Sequence, residues 1–227
     1  MSVADVLIDE PETSSSPPKT DPFATFRASV RASPRRYAVL LAGLALYAVA
    51  LALMLQGGRG LGPWDVLHDG LSRHLGIGVG MANVLVALVL VATLWRSGRF
   101  GVGTLLNAVL IGLLLDVVRP FIPVASSASV GWAMHLAGTL GVGLATGLYL
   151  AAALGSGPRD TLMLVTMQRT GRSARTVRTA IELVVLAGGA LLGGAVGLGT
   201  LVFALGIGPA TQLGLRWFAP ELARPSR

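Results

Sequence analysis

No cysteine occurs anywhere in the 227 residues, so neither a disulfide nor a thiolate metal site can form, and the chain carries no redox clue to its compartment. Charge is scarce as well: Asp, Glu, Lys and Arg fill 13% of positions, against 53% hydrophobic residues and a further 30 glycines. A water-soluble chain of this size needs more charge to cover its surface, and the same figures exclude disordered, fibrous and disulfide-framework classes. The class that remains is an integral membrane protein. Lysine is nearly missing, Lys19 being the single one among 18 cationic residues, a skew that with heavy Ala, Gly and Leu usage reads as GC-rich bacterial coding. The net charge of +7 invites a nucleic-acid partner, but the cations are scattered between apolar runs instead of forming a patch. No nucleic-acid partner is expected.

Residues 1–35 are polar, rich in Ser, Pro and acidic residues before turning basic at Arg27, Arg31, Arg35 and Arg36. They offer too little apolar surface to offset the entropy of ordering and are predicted to be a disordered cytoplasmic tail. A cleaved signal peptide is the competing reading of the first apolar run, but its basic flank is too long and no small-x-small site closes it. Crossing the hydrocarbon takes about 20 apolar residues. Six runs of about that kind lie at 37–56, 79–94, 100–115, 131–154, 179–194 and 198–215, the last two divided by glycines around Gly193, Gly194 and Gly197. With the tail inside, only Arg59, Arg73 and Arg119 of the 18 cations fall outside, which predicts cytoplasmic N- and C-termini and six spans. Tyr37, Trp95, Trp132 and Trp217 lie near predicted span ends, where amphipathic rings prefer the headgroup level.

The chain also repeats itself. Residues 36–118 align with 131–215 at an offset of 95 that becomes 96 after one insertion. Gly60, Gly62, Pro63 and Asp65 match Gly155, Gly157, Pro158 and Asp160; Gly101, Gly103, Thr104 and Leu105 match Gly197, Gly199, Thr200 and Leu201. Each unit holds three spans, an odd number, so the second copy is expected to enter the membrane upside down relative to the first. The predicted organisation is a tail (1–35), a first membrane repeat (36–125), a second (126–218) and a cytoplasmic C-terminal tail (219–227). Inverted repeats of this kind recur in secondary transporters, with the substrate at the repeat interface, although a fold is not a function.

The strings G-L-G-P-W-D-V-L from Gly60, G-V-G-T-L-L-N from Gly101, G-S-G-P-R-D from Gly155 and G-L-G-T-L-V-F from Gly197 resemble the YczE/YyaS/YitT group of bacterial membrane proteins over about residues 37–215. The resemblance implies a multi-span fold in the bacterial plasma membrane and is silent on chemistry.

In each G-x-G-P-x-D string the glycines permit a turn, the proline suits the first helical position, and the aspartate falls at the third, against free amides and the positive end of the helix dipole. The helices that follow, 63–75 and 158–170, are too short and polar to cross and are expected at the interface or as re-entrant elements. Asp65 and Asp160 read either as helix caps or as opposed coordinating groups for an ion or solute. Thr104 and Asn107 share one helix face, with Thr200 at the related place; they read as path-lining groups or as packing glue. Phe203 replaces Asn107 in the second copy, so any site there is asymmetric. Asp116 with Arg119 and Glu182 with Arg178 are spaced to form interfacial ion pairs.

His68 and His74 with Asp65 and Asp69 hint at metal, but six residues put the two imidazoles on opposite helix sides, and no metal or cofactor is expected. His135 stands alone in its span and reads as packing or hydrogen-bonded. Residues 170–179, T-G-R-S-A-R-T-V-R-T, resemble the start of a DNA-recognition helix, yet they run straight into an apolar segment and read as headgroup-contacting anchors. No phosphate loop, nucleophile elbow or HExxH gives an enzymatic reading a residue to stand on. The expectation is an all-α polytopic membrane protein of two inverted three-span repeats, each with a short non-spanning helix, that binds or moves a small solute between them. The alternative is a non-transporting membrane accessory or assembly protein.

Overall fold

Glycine and proline mark where helices begin and end. In the computed structural model, which describes residues 24–97, 100–155 and 157–220, all regular structure is helical: α1 (Ala24–Val30), α2 (Pro34–Gly57), α3 (Pro63–Leu75), α4 (Val79–Leu94), α5 (Val102–Val118), α6 (Ala128–Ala151), α7 (Pro158–Thr170), α8 (Ala174–Leu191) and α9 (Leu198–Phe218). The short helices α3 and α7 share one punctuation. Each opens Gly-Pro-x-Asp, and each closes on a left-handed glycine, Gly76 (φ 66) and Gly171 (φ 65).

Among the described residues, five helices are long and apolar enough to cross a membrane: α2, α4 with its short extension to Ser97, α5 with its extension to Phe121, α6 and α9. Most of the expected span at 179–194 falls in α8, which runs from Ala174 to Leu191 and takes Arg175, Arg178 and Glu182 into its 18 residues; that charge keeps it out of the apolar set. The tail departs from expectation. Residues 24–35, expected to be disordered, contain α1 and the start of α2. Ser29 explains the order: its hydroxyl donates to Phe26 O at 2.7 Å and accepts the Val102 N–H at 2.9 Å, while Tyr37 donates to Ser29 O at 3.0 Å. Residues 1–23 and 221–227 lie outside the described residues.

Small residues fix the helix registers. Along α2 and α6, Gly43 meets Tyr149, Ala50 meets Gly141, Met54 meets Gly138 and Gly57 meets Gly131, so the two helices run antiparallel. Arg36 at the start of α2 donates to Ala152 O and Ala153 O at the end of α6, a cation on a helix C-terminus. Along α6 and α9, His135 meets Gly199, Gly143 meets Ala210 and Gly147 meets Gly214, so these run parallel. The start of α5 lies by Ser29 and its end by Gln56, whose amide donates to Ile122 O at 2.5 Å, which makes α2 and α5 parallel too. Such backbone approach is how helices associate in lipid, where burying apolar surface gives no advantage over the acyl chains.

The outer surface is apolar: Val89, Val117, Val184, Leu201 and Leu205 are all at least 60% exposed. That is the inverse of a soluble protein. Helix α4 packs along α5 through Gly80 and Gly112, whereas the repeat-related α8 has no comparable packing on α9, and Gly208, the mate of Gly112, faces open space.

Candidate functional site

Two Gly-Pro corners converge on the middle of the molecule, each held by the other half of the chain. The Gly103 N–H donates to Leu154 O at 2.8 Å, and the Gly199 N–H donates to Arg59 O at 2.7 Å. Gly60 (φ 116) lies against Thr200 Oγ1 and Gly197 N, and Gly155 (φ 122) lies against Thr104 Oγ1 and Gly101 N. Both glycines combine a left-handed backbone with a contact that leaves no room for a Cβ. Thr104 and Thr200 each accept the N–H of their own helix-capping glycine, from Gly101 and Gly197, at 3.2 Å. These two threonines therefore seat the corners and lie outside the cavity wall, where the path-lining reading had placed them.

The corners line a partly open cavity of about 140 Å³. It brings together Asp65, Asp160 and Asn107, along with Gly62, Pro63, Gly157 and Pro158 of the turns. Much of its lining comes in repeat-related pairs: Tyr47 with Val142, Trp64 with Arg159, Asp65 with Asp160, Ile111 with Ile207, and Asn107 with Phe203. Because α4 and α8 begin 95 residues apart, at Val79 and Ala174, Asn83 pairs with Arg178 and Ala87 with Glu182, and all four also line it. Geometry repeats and chemistry does not. The first copy supplies an indole, an amide and a methyl group (Trp64, Asn83 and Ala87) where the second supplies three charges (Arg159, Arg178 and Glu182).

Arg159 is the best-held of these groups. Its guanidinium lies 5.0 Å from the centre of the Trp64 ring, donates to Asn83 Oδ1 at 3.0 Å and comes within 4.0 Å of Asp65. Asp65 is buried and also faces His68 Nδ1 at 3.5 Å. His68 is 1% exposed and its Nε2 has no partner; burial pushes its imidazole down to about 4 from 6.5, against the pull of Asp65. Asp160, half-buried at the start of α7, accepts from the Tyr149 hydroxyl at 3.3 Å. Burial raises its carboxyl above the usual range, opposed by Arg178, Tyr149, Arg159 and the Gly157 amide. Arg178 pairs with Glu182 at 2.9 Å, the spacing expected from sequence.

Asp116 departs from expectation. Its carboxylate accepts the Gly80 and Met81 N–H groups, both at 2.9 Å, and caps α4 from α5 instead of pairing with Arg119; two free amides at a helix N-terminus solvate a carboxylate better than one flexible guanidinium. Asp69 does likewise, accepting from Ala195 N at 2.8 Å while pairing with Arg73 at 3.0 Å. Among the described residues no group of three metal-ligating side chains assembles. Arg159, Tyr149, Asn83 and Arg178 were not singled out from sequence as site residues. The signal for Arg159 was present, a charge inside one G-x-G-P-x-D string at the place where the other copy has Trp64.

Comparison with known proteins identifies the family. A family of unknown function, DUF6198, matches residues 34–216. The uncharacterized membrane protein YczE of Bacillus subtilis is 32% identical over 189 residues, covering 82% of this chain and 86% of its own. An uncharacterized protein of Haemophilus influenzae is 36% identical over 183 residues (80% and 84%), and the uncharacterized protein YyaS of B. subtilis is 30% identical over 167 residues (70% and 82%). No solved structure matches the chain. With its four glycine motifs, its apolar helices and this coverage, the chain is a multi-span membrane protein and belongs to the DUF6198 family, in the company of YczE and YyaS.

Proposed function

We propose that this protein is a non-enzymatic, transporter-like protein of the bacterial plasma membrane, with both termini cytoplasmic, that binds and moves a small solute in the cavity between two inverted three-span repeats. The observation that carries the reading is the cavity's lining by repeat-related pairs, which sets it across the internal two-fold relation, where inverted-repeat transporters keep their substrate. The antiparallel register of α2 and α6 supports the inversion, since these are the first helices of the two repeats. The parallel register of α6 and α9 supports a sixth crossing: the chain leaving the end of α6 must return to the start of α9, which lies beside the start of α6. Helix α8 is the segment available for that return. Its 18 residues reach about 27 Å at a rise of about 1.5 Å per residue, close to the hydrocarbon thickness of about 30 Å. Two of its charges, Arg178 and Glu182, face the cavity and each other, which is how ionisable groups are tolerated at that depth.

The absence of cysteine makes the test free of background. A single Cys placed at Thr146, on the cavity wall, should react with an impermeant thiol reagent, and a Cys at Leu205, on the apolar exterior, should not. Equal protection at both positions is the result expected of a packing or assembly module and would remove the transport reading.

A further inference from the structure

The cavity holds five formal charges that do not cancel. Asp65, Asp160 and Glu182 face Arg159 and Arg178. Arg178 is committed to Glu182, and Arg159 to Trp64, Asn83 and Asp65. Among the described residues, no cationic nitrogen comes within 4 Å of the Asp160 carboxylate. Around it stand Tyr47 of α2, Asp65 of α3 with His68 behind it, Asn83 of α4, Asn107 of α5, Tyr149 of α6, and Arg178 and Glu182 of α8, besides Arg159 on its own helix. A carboxylate at this depth, left over after both guanidiniums have partners, calls for one unit of positive charge. The shape and walls say what kind. The space is about 140 Å³, and Tyr47, Trp64 and Tyr149 line it; aromatic walls favour a weakly hydrated ammonium over a tightly hydrated metal ion.

We propose that the cavity binds one small monovalent organic cation, with its ammonium group against Asp160, and that this cation exchanges with a proton on the same carboxyl. The proposal rests on the solute-binding reading above and names the class of solute. The exchange balances: as the cation enters, the proton leaves the Asp160 carboxyl oxygen for water, and the charge inside the cavity is unchanged. The raised affinity of Asp160 for its proton is in keeping with that exchange.

The test uses the full chain in nanodiscs and tetramethylammonium as probe, because a quaternary cation carries no proton of its own and any proton released comes from the protein. Titration calorimetry in two buffers of different ionisation enthalpy reads both affinity and protons released. At a pH low enough for the empty site to hold the Asp160 proton, the wild type should bind saturably and release about one proton per cation, and the release should vanish as pH rises. Asp160→Asn should weaken binding about thirty-fold or more and abolish the release; Asp160→Glu should keep both, which guards against a variant that merely misfolds. Binding without proton release at any pH, unchanged binding by Asp160→Asn, or no binding of either tetramethylammonium or choline would overturn the proposal. If acetate binds and the cations do not, the cation class fails while the cavity reading stands. If nothing binds and the Cys at Thr146 is also protected, the cavity reading fails with it.

Discussion

Asp116 shows how far one residue's role depends on its neighbours in space. Its sequence neighbour Arg119 invites a local ion pair, yet the carboxylate holds the first free amides of α4, 35 and 36 residues away. Asp116→Ala leaves those amides unpaired and should destabilise the protein by about 1–3 kcal/mol, read as a lower unfolding temperature in detergent, while Arg119→Ala should change it little. The buried groups at the corners predict opposite pH effects. His68 binds its proton at about 4 in the fold and at 6.5 ordinarily, so the unfolded chain takes the proton first. Stability from its neutral form is complete above about 6.5 and is lost as pH falls towards about 4. Unfolding temperature should decline across that window, and His68→Gln should flatten the decline. Asp160, whose affinity for the proton is raised, works the other way: its contribution is present at low pH and lost as pH rises through the raised value.

At the scale of the element, what was legible was what is local. The bounds of α3 and α7 could be read to the residue because Gly-Pro at one end and glycine at the other are signals within a single turn. Helix α8 was harder, since Arg178 and Glu182 line a cavity that seven other helices also line and nothing within 174–191 says so. The docking of α1 was equally hidden, depending on Ser29 meeting Val102 across 73 residues. Likewise Thr104 and Thr200 read as path-lining groups or packing glue from their spacing, and which amides their hydroxyls meet, those of the glycines at helix starts, takes the structure to see. Packing of α4 on α5 relies on Gly80 and Gly112, where any Cβ would strike the facing backbone. Gly112→Leu should therefore force the pair apart at about 1–3 kcal/mol. The same change at Gly208, which faces open space, should be nearly neutral, and unfolding in detergent compares the two.

For the molecule as a whole, the membrane class followed from scarcity of charge, and the internal duplication from two glycine strings. The cavity needed the three-dimensional arrangement, because its walls come from eight separate helices. The inverted arrangement proposed above makes a prediction at this scale. Cysteines placed at Arg73 and Arg169, near the ends of α3 and α7, should be labelled by an impermeant reagent from opposite faces of sealed vesicles, and labelling of both from one face would refute the inversion.

Each corner rests on the opposite half, so neither half can finish its own helix starts. Severing the chain in the linker around Ser126 should leave two fragments that accumulate only when made together. The same interlocking sorts the duplicated positions into two fates. Where the halves clasp, the twins are still identical: Gly60 and Gly155, Gly103 and Gly199, Thr104 and Thr200. Where they face the shared chamber, several differ in chemistry, Trp64 from Arg159 and Asn107 from Phe203.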